Sequence, residues 1–176
     1  MESKKNIVFL GMMGSGKTSI GKLISKQLKL NFFDIDNVIE NKMKMKISEI
    51  FLNKGEEYFR QIEEKITLNT LKKKGIVISL GGGGFLNKNI RKEVLMNHMS
   101  FWLNCDKKVL INRIRNSLKR PLAFNVSKEE LLILIKKRSI VYSKALYKVN
   151  CNNLTKTEIV NKILKIDEIY KDKNKH

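Results

Sequence analysis

The sequence predicts an α/β fold in which helices cover both faces of a parallel sheet. Short apolar segments suited to buried strands alternate along the chain with longer segments that have helical periodicity. A glycine-rich segment, GMMGSGKT at Gly11–Thr18, stands between the first apolar segment and the first helical pattern. Alternation of this kind is typical of sheets covered on both sides. We therefore expect the loops after the strands to share one rim, where ligands bind.

Five apolar segments predict the strands, and the segments between them predict the helices. The strands are expected at Asn6–Leu10, Asn31–Phe33, Ile76–Leu80, Ser100–Leu103 and Tyr147–Val149. The helices are expected at Lys17–Leu28, Glu56–Lys73, Lys88–Asn97, Lys107–Ser117, Lys128–Leu146 and Lys156–Tyr170, with shorter pieces near Val38–Asn41 and Ile47–Leu52. Ser127 with Glu130 and Thr155 with Glu158 have capping-box spacing, which predicts helix starts.

The length and the net charge of the chain limit the classes of protein to which it can belong. The 176 residues suit a single domain spanning residues 1–176. The net charge of +19 would attract nucleic acids, acidic membranes or phosphorylated small molecules. Most of the basic residues are scattered lysines, which we interpret as solvated surface, and only six are arginines. No segment approaches the roughly 20 apolar residues needed to cross a bilayer.

The cysteines and histidines predict no metal site. Cys105 and Cys151 do not form a CxxC motif, and His98 and His176 have no second histidine or cysteine at helical spacing. We expect two reduced thiols without a chemical role and two ordinary surface or strand-end histidines. This cysteine usage is typical of a cytoplasmic protein.

The segment Gly11–Thr18 matches the phosphate-binding pattern GxxxxGK[ST], in the strand-to-helix context that the pattern requires. Backbone amides of such a loop surround the phosphates of a nucleoside triphosphate, the lysine reaches the outer phosphates and the Thr holds magnesium. An accidental glycine-rich turn is the alternative. The residues expected to bind nucleotide are Gly11, Gly14, Ser15, Gly16, Lys17, Thr18 and Ser19.

Two carboxylates, Asp34 and Asp36, follow the second predicted strand and are expected on the same rim. Because strand side chains alternate, they should point the same way. In phosphoryl transfer one carboxylate holds the magnesium shell and another accepts the proton of the attacking hydroxyl. A strand-end acid followed by a helix cap is the alternative, which the neighbouring phosphate loop disfavours.

The order of the remaining motifs resembles the shikimate kinase family over about residues 5–165. After GMMGSGKT and DID come FRQIEE, SLGGGG, KRPL and KKRSIVY. The resemblance implies a P-loop kinase fold with a five-stranded parallel sheet in the order 2-3-1-4-5, a substrate-binding subregion at about 35–63 and a mobile lid at about 115–127. It also implies ATP- and Mg²⁺-dependent phosphorylation of the 3-hydroxyl of shikimate, a step toward chorismate and the aromatic amino acids, by a protein expected to be monomeric.

The resemblance assigns roles to individual residues. Asp36 would be the general base, and Asp34 would hold Mg²⁺ through water. The residues expected to bind shikimate, besides Asp36, are Arg60, Arg138 and the backbone of Gly81, Gly82 and Gly83. Glu63 would orient Arg60.

Two further arginines are assigned to the nucleotide side. Arg120, in the lid, would stabilise the transferring phosphoryl group alongside Lys17, and Arg113 would pack against the adenine. Three departures from the family pattern are Ile140 in place of a proline, Gly84 in place of a small side chain, and a loop at 149–154 without the arginine that often covers adenine.

Three other functions remain open from the sequence. A kinase of another sugar acid, such as gluconate, would keep the phosphate loop but need different acceptor contacts. A nucleic-acid-binding ATPase would use the basic charge, although the sequence has no recognition-helix or zinc-finger pattern. A non-catalytic homologue would bind ATP without transferring phosphate.

Overall fold

A computed structural model of the chain describes residues 5–115 and 126–173. Five parallel strands form one sheet in the order β2-β3-β1-β4-β5, as predicted. The strands are β1 (Ile7–Leu10), β2 (Asn31–Asp34), β3 (Ile76–Ser79), β4 (Met99–Asn104) and β5 (Tyr147–Asn150). Their carboxyl ends lie along one edge, which gives the predicted rim.

Helices connect the strands in the expected alternation. They are α1 (Lys17–Leu28), α2 (Ile35–Met43), α3 (Ile47–Leu71), α4 (Lys88–Asn97), α5 (Lys107–Arg115), α6 (Lys128–Tyr142) and α7 (Lys156–Lys173), with a 3-10 turn at Gly84–Leu86. Both predicted capping boxes form. The Glu130 amide donates to Ser127 Oγ at 3.1 Å, and the Glu158 amide donates to Thr155 Oγ1 at 3.3 Å.

The two faces of the sheet carry separate apolar cores. Along β1, Ile7 and Phe9 pack against α1 and α7, whereas Val8 and Leu10 face the core formed with α2 to α6. All four side chains are almost fully buried. Burial on both faces explains why the strand reads as an uninterrupted apolar run, as expected of a central parallel strand.

Several helices differ in extent from the prediction, and three of them show why. Helix α6 ends at Tyr142 instead of Leu146, because the chain turns there to enter β5 and the Leu146 amide bonds to Ser100 Oγ at 2.9 Å. Helix α2 is longer than the predicted Val38–Asn41 and begins at Ile35. The predicted break between two helices is retained within α3, where Gly55 has a non-helical φ of 82°.

Within the described ranges, every helix is too short or too polar to span a membrane.

Candidate active site

Three glycines shape the loop between β1 and α1. Gly11, Gly14 and Gly16 have positive φ angles of 139°, 78° and 92°, a region that residues with a Cβ atom rarely adopt. A Cβ atom at Gly11 would also lie 2.9 Å from the carbonyl oxygen of Leu103. The loop therefore curls tightly before α1 begins. The free amides of the first turn of α1, together with its positive dipole end, then form a suitable site for an anion.

Two side chains lie inside this loop. Lys17 Nζ donates hydrogen bonds of 2.9 and 3.0 Å to the carbonyl oxygens of Gly11 and Met12, and the residue is only 8% exposed. Ser15 Oγ is buried and has no hydrogen-bond partner among the described residues. Leaving a buried polar group unsatisfied costs about 1–3 kcal/mol. A phosphate oxygen in the loop would therefore be stabilised by this hydroxyl.

The loop is joined to the end of β2 by one hydrogen bond. Thr18 Oγ1, in the first turn of α1, donates to Asp34 Oδ2 at 2.6 Å. Both are hard oxygen ligands of the type that Mg²⁺ takes, usually one or two protein oxygens completed by water and phosphate. The described residues contain no cluster of three or more His, Cys, Asp or Glu suited to a metal.

A groove of about 810 Å³ lies beside the loop. One wall is the loop itself, and the others come from the segments that follow β4 and β5. Arg113, on α5, lines the groove and donates a 3.0 Å hydrogen bond to the carbonyl oxygen of Gly14. The Asp106 amide donates to Asn152 Oδ1 at 2.7 Å, which ties the two segments together. The groove is large enough for the base and sugar of a nucleotide whose phosphates occupy the loop.

The glycine run follows β3 on the same rim. The Leu80 amide bonds to the carbonyl oxygen of Phe9 at 2.9 Å, so the run starts where the ladder ends. A Cβ atom at Gly81 would lie 2.6 Å from Asp36 Oδ1 and 2.8 Å from Glu63 Oε1. A side chain at that position would therefore force both carboxylates to move.

The next two glycines face arginines. A Cβ atom at Gly83 would overlap the Arg60 guanidinium, and one at Gly82 would lie 3.3 Å from Arg138 NH1. Gly84 has more room, since its nearest neighbour would be 3.5 Å away. The run therefore lets the backbone come between two arginines and two carboxylates.

Arg60 is held by carboxylates on its own helix, α3. Its NH1 group donates to Glu63 Oε2 at 2.7 Å, and its NH2 and Nε groups donate to Glu56 Oε1 at 3.0 and 3.2 Å. Burial is the largest single effect and opposes the charged form of Arg60, but the attraction and hydrogen bonds of Glu63 and Glu56 together outweigh it and raise the pKa of Arg60. Spacings of three and four residues bring these carboxylates onto the face of the arginine.

Glu63 is the most buried carboxylate at this rim, with 2% of its surface exposed. Burial raises the pKa of Glu63, Arg60 opposes that rise, and Asp36 adds to it through repulsion. The Glu63 carboxylate thus depends on Arg60 to remain charged in a site that it shares with Asp36.

Arg138 and Tyr142, one turn apart on α6, both bond to the carbonyl oxygen of Gly82. Arg138 NH1 donates at 3.3 Å, and the Tyr142 hydroxyl forms a shorter bond. Burial raises the pKa of Tyr142 to about 12, so it remains a donor at neutral pH. Arg138 Nε is buried without a hydrogen-bond partner among the described residues. A buried guanidinium nitrogen in this state is suited to an anionic ligand.

A sequence profile described as shikimate kinase matches residues 13–168. The chain belongs to the shikimate kinase family. The shikimate kinase of Thermodesulfovibrio yellowstonii is 40% identical over 162 residues, which cover 92% of this chain and 94% of that protein. The enzyme of Bartonella henselae is 35% identical over 171 residues, which cover 97% of this chain and 81% of that protein.

The solved structures include a shikimate kinase from Acinetobacter baumannii in complex with shikimate. It is 28% identical to this chain and superposes with a TM-score of 0.89, with 97% of this chain and 96% of that chain covered. The predicted fold and family are therefore confirmed.

The residues that the shikimate kinase resemblance singled out lie in two neighbouring groups on one rim. The phosphate loop, Thr18, Asp34 and Arg113 form the first group, and Ser19 also lines the nucleotide groove. Asp36, Arg60, the glycine run and Arg138 form the second. Arg120 and residues 116–125 of the predicted lid, which was expected at about 115–127, lie outside the described residues.

The predicted geometry of the two aspartates was wrong in one respect. Strand β2 ends at Asp34, and Asp36 lies in the first turn of α2 instead of continuing the strand. The alternation of strand side chains therefore does not orient Asp36. The helix start brings it toward Gly81 instead.

Sequence reasoning missed three features of this shikimate kinase site. Tyr142 ends the motif KKRSIVY but received no predicted role, although its position four residues after Arg138 puts both on one helix face. Glu56 was also overlooked, and it stands four residues before Arg60. Cys105 and Cys151 were given no role, yet both line the nucleotide groove. Nothing in their spacing reveals this proximity, because 46 positions separate them in the chain.

Proposed function

We propose that this protein transfers the γ-phosphoryl group of ATP to the 3-hydroxyl of shikimate, giving shikimate 3-phosphate and ADP. The main evidence for this proposal is the position of the glycine run that follows β3. It lies in close contact with Arg60, Arg138 and Asp36, directly beside a phosphate-binding loop. An acceptor that carries both a carboxylate and hydroxyl groups matches the two arginines and the carboxylate. Membership of the shikimate kinase family supports the same acceptor.

The donor side would bind ATP through the backbone amides of the loop at 11–16. Ser15 Oγ would supply its unused hydrogen bond to a phosphate oxygen, and Lys17 would exchange its carbonyl partners for the outer phosphates. Arg113 would contact the nucleotide from the side of α5. Arg120 would approach the transferring group from the lid and help to exclude water.

Thr18 and Asp34 would hold Mg²⁺, Thr18 directly and Asp34 through water. When bound, the ion supplies charge neutralisation at the outer phosphates. The 2.6 Å bond between the two side chains already sets their oxygens side by side. Thr18 would turn its hydroxyl lone pair to the ion, and Asp34 would accept hydrogen bonds from the water that the ion holds.

The acceptor side would bind the shikimate carboxylate through Arg138 and Arg60. A guanidinium presents two parallel donors to a carboxylate, which a lysine does not. The amides of Gly81 to Gly83 would border the ring, where a side chain would crowd the charged residues already present. Glu63 would keep Arg60 in place through their 2.7 Å ion pair.

Asp36 would accept the proton of the 3-hydroxyl as it attacks the phosphoryl group. It lies in the first turn of α2 and faces the glycine run, where a Cβ atom at Gly81 would be 2.6 Å from its Oδ1. Glu63 is a poorer base because it is tied to Arg60 and is nearly inaccessible. We further propose that the protein acts as a monomer in the cytoplasm.

The test is ADP release from ATP and Mg²⁺ by the purified protein with shikimate, with gluconate, with single-stranded RNA or with no acceptor. We expect strong stimulation by shikimate alone, and its loss in Lys17→Ala. Stimulation by gluconate would leave the donor site intact and overturn the acceptor assignment. Stimulation by RNA alone would instead indicate that the basic surface binds nucleic acid. RNA binding of this kind would weaken steeply as the salt concentration rises.

A further inference from the structure

Cys105 and Cys151 occupy neighbouring positions just beyond the paired ends of β4 and β5. The register of these parallel strands pairs Leu103 with Val149 and Asn104 with Asn150. The Cys151 amide then bonds to the carbonyl oxygen of Asn104 at 2.9 Å, so the ladder extends to the cysteines. Paired strands lie about 4.7–4.9 Å apart, within the Cα separation of about 4.4–6.8 Å that a disulfide requires.

Both thiols line the nucleotide groove and are partly exposed to solvent. Cys105 Sγ donates to the carbonyl oxygen of Ser15 at 3.5 Å, which links the thiol to the phosphate loop. Cys151 Sγ donates to the carbonyl oxygen of Val149 at 3.3 Å. A small oxidant entering the groove would therefore meet both sulfur atoms.

The two thiols differ in acidity. The neighbouring Cys151 thiol lowers the pKa of Cys105 to about 7 against the effect of burial, with help from Arg113 and Lys17. The neighbouring Cys105 sulfur, together with burial, raises the pKa of Cys151. Since the thiolate is the reactive form, Cys105 is the nucleophile and Cys151 the resolving residue.

We propose that Cys105 and Cys151 form a reversible intramolecular disulfide in the nucleotide groove, with a peroxide as the oxidant. The Cys105 thiolate attacks the O–O bond of hydrogen peroxide, gives a sulfenic acid and releases hydroxide, which takes up the thiol's lost proton to become water. Cys151 then attacks the sulfenic sulfur, forms the S–S bond and releases a second water. A dithiol reductant restores both thiols by exchange.

The disulfide would change the nucleotide site. Oxidation removes the thiol hydrogen that Cys105 donates to Ser15 and joins the segments after β4 and β5, which form two walls of the groove. We expect weaker ATP binding, with a dissociation constant raised roughly fivefold or more, the size of a typical coupling between sites. This consequence rests on the proposed ATP site, whereas disulfide formation does not.

To test this proposal, the purified full chain is treated with hydrogen peroxide, and its intact mass is measured under denaturing, non-reducing conditions. The expected result is the loss of two hydrogens and protection of both cysteines from alkylation, each reversed by dithiothreitol. Cys105→Ser should give no cross-link, and Cys151→Ser should stop at an over-oxidised Cys105. Stable sulfenic or sulfinic acid in the unaltered chain, or a disulfide between two molecules, would overturn the proposal.

Equilibrium ATP binding to the oxidised and reduced forms tests the consequence separately from shikimate turnover. Weaker binding by the oxidised chain, with no change on peroxide treatment of Cys105→Ser, would support control of the nucleotide site. A disulfide that leaves ATP affinity unchanged would overturn that control. Absence of shikimate-dependent activity in the reduced protein would count against the proposed function alone.

Discussion

The Thr18 hydroxyl donates a 2.6 Å hydrogen bond to the Asp34 carboxylate, which connects the first turn of α1 to the end of β2. The two residues come from different strand-to-helix connections and meet because β2 and β1 both run parallel to β3, which lies between them. A nucleotide whose phosphates bind the loop would therefore lie next to the Asp34 carboxylate. Asp34 would then accept hydrogen bonds from the water bound to the accompanying Mg²⁺.

Replacing Thr18 should change the requirement for magnesium. We expect Thr18→Ala to raise the Mg²⁺ concentration for half-maximal ADP release about tenfold, equivalent to about 1.4 kcal/mol, because a metal ligand is lost. Thr18→Ser keeps the hydroxyl and should stay close to the unaltered protein. A Mg²⁺ titration at saturating ATP measures the effect. An unchanged titration for Thr18→Ala would remove Thr18 from the metal site.

Adding one methyl group to the glycine run should separate substrate binding from folding. Gly83 has a φ of −96°, which alanine adopts without strain, but its Cβ would overlap the Arg60 guanidinium. We expect Gly83→Ala to raise the Michaelis constant for shikimate at least tenfold, with little change for ATP.

Gly84→Ala is the matched control for that variant. Its Cβ would meet its nearest neighbour at an ordinary 3.5 Å. Steady-state kinetics and thermal unfolding of both variants check the prediction. Equal Michaelis constants for shikimate in the two variants would contradict the placement of Arg60 at the acceptor.

Removing the charge of Asp36 should reduce turnover while leaving binding in place. General base catalysis typically contributes about 10²- to 10⁴-fold, so we expect Asp36→Asn to lose activity by a factor in that range. Calorimetric titration should still detect both ATP and shikimate. Turnover close to that of the unaltered enzyme would assign the proton acceptor elsewhere.

Burial of His98 should make stability depend on pH. The residue is 8% exposed, and neither ring nitrogen has a hydrogen-bond partner among the described residues, although Nε2 lies 3.4 Å from Glu93 Oε1. Burial lowers the pKa of His98 more than Glu93 raises it. Protonation below about pH 6.5 therefore favours the unfolded chain, so this contribution to stability is lost as the pH falls.

Urea unfolding of the unaltered chain and of His98→Gln between pH 5 and 8 measures this contribution. The difference in unfolding free energy should change by no more than about 1.4 kcal/mol per pH unit, the slope for one proton. Glu93→Gln should steepen the loss, because it removes the partner of the protonated ring. If the unfolding free energies of the unaltered chain and of His98→Gln change with pH in parallel, His98 has the same pKa in the folded and the unfolded chain, which would contradict the prediction.

The sequence predicted best what is encoded within a short segment. The phosphate loop is contiguous, so spacing alone identified Gly11 to Thr18 and the strand and helix on either side. The sheet order followed from the family resemblance. Asp36 was placed on the correct rim but on the wrong element, because periodicity locates the end of a strand only to within a few residues.

Features built from distant segments were less accessible. The bond from Tyr142 to Gly82 and the approach of Cys151 to Cys105 depend on packing across the sheet edge, which local patterns do not report. Helix α6 was predicted too long because apolar residues continue to Leu146, while the bond from the Leu146 amide to Ser100 stops the helix earlier. Tertiary contacts thus overrode the local helical pattern.

Identifying the phosphorylated product tests most directly whether the protein transfers phosphate to the 3-hydroxyl of shikimate. The purified protein is incubated with ATP, Mg²⁺ and shikimate, and the product is examined by phosphorus and proton nuclear magnetic resonance. We expect one phosphate ester on the 3-hydroxyl of shikimate, formed in equal amount to ADP. Inorganic phosphate as the only product, or an ester on another hydroxyl, would contradict the acceptor geometry assigned to Asp36, Arg60 and Arg138.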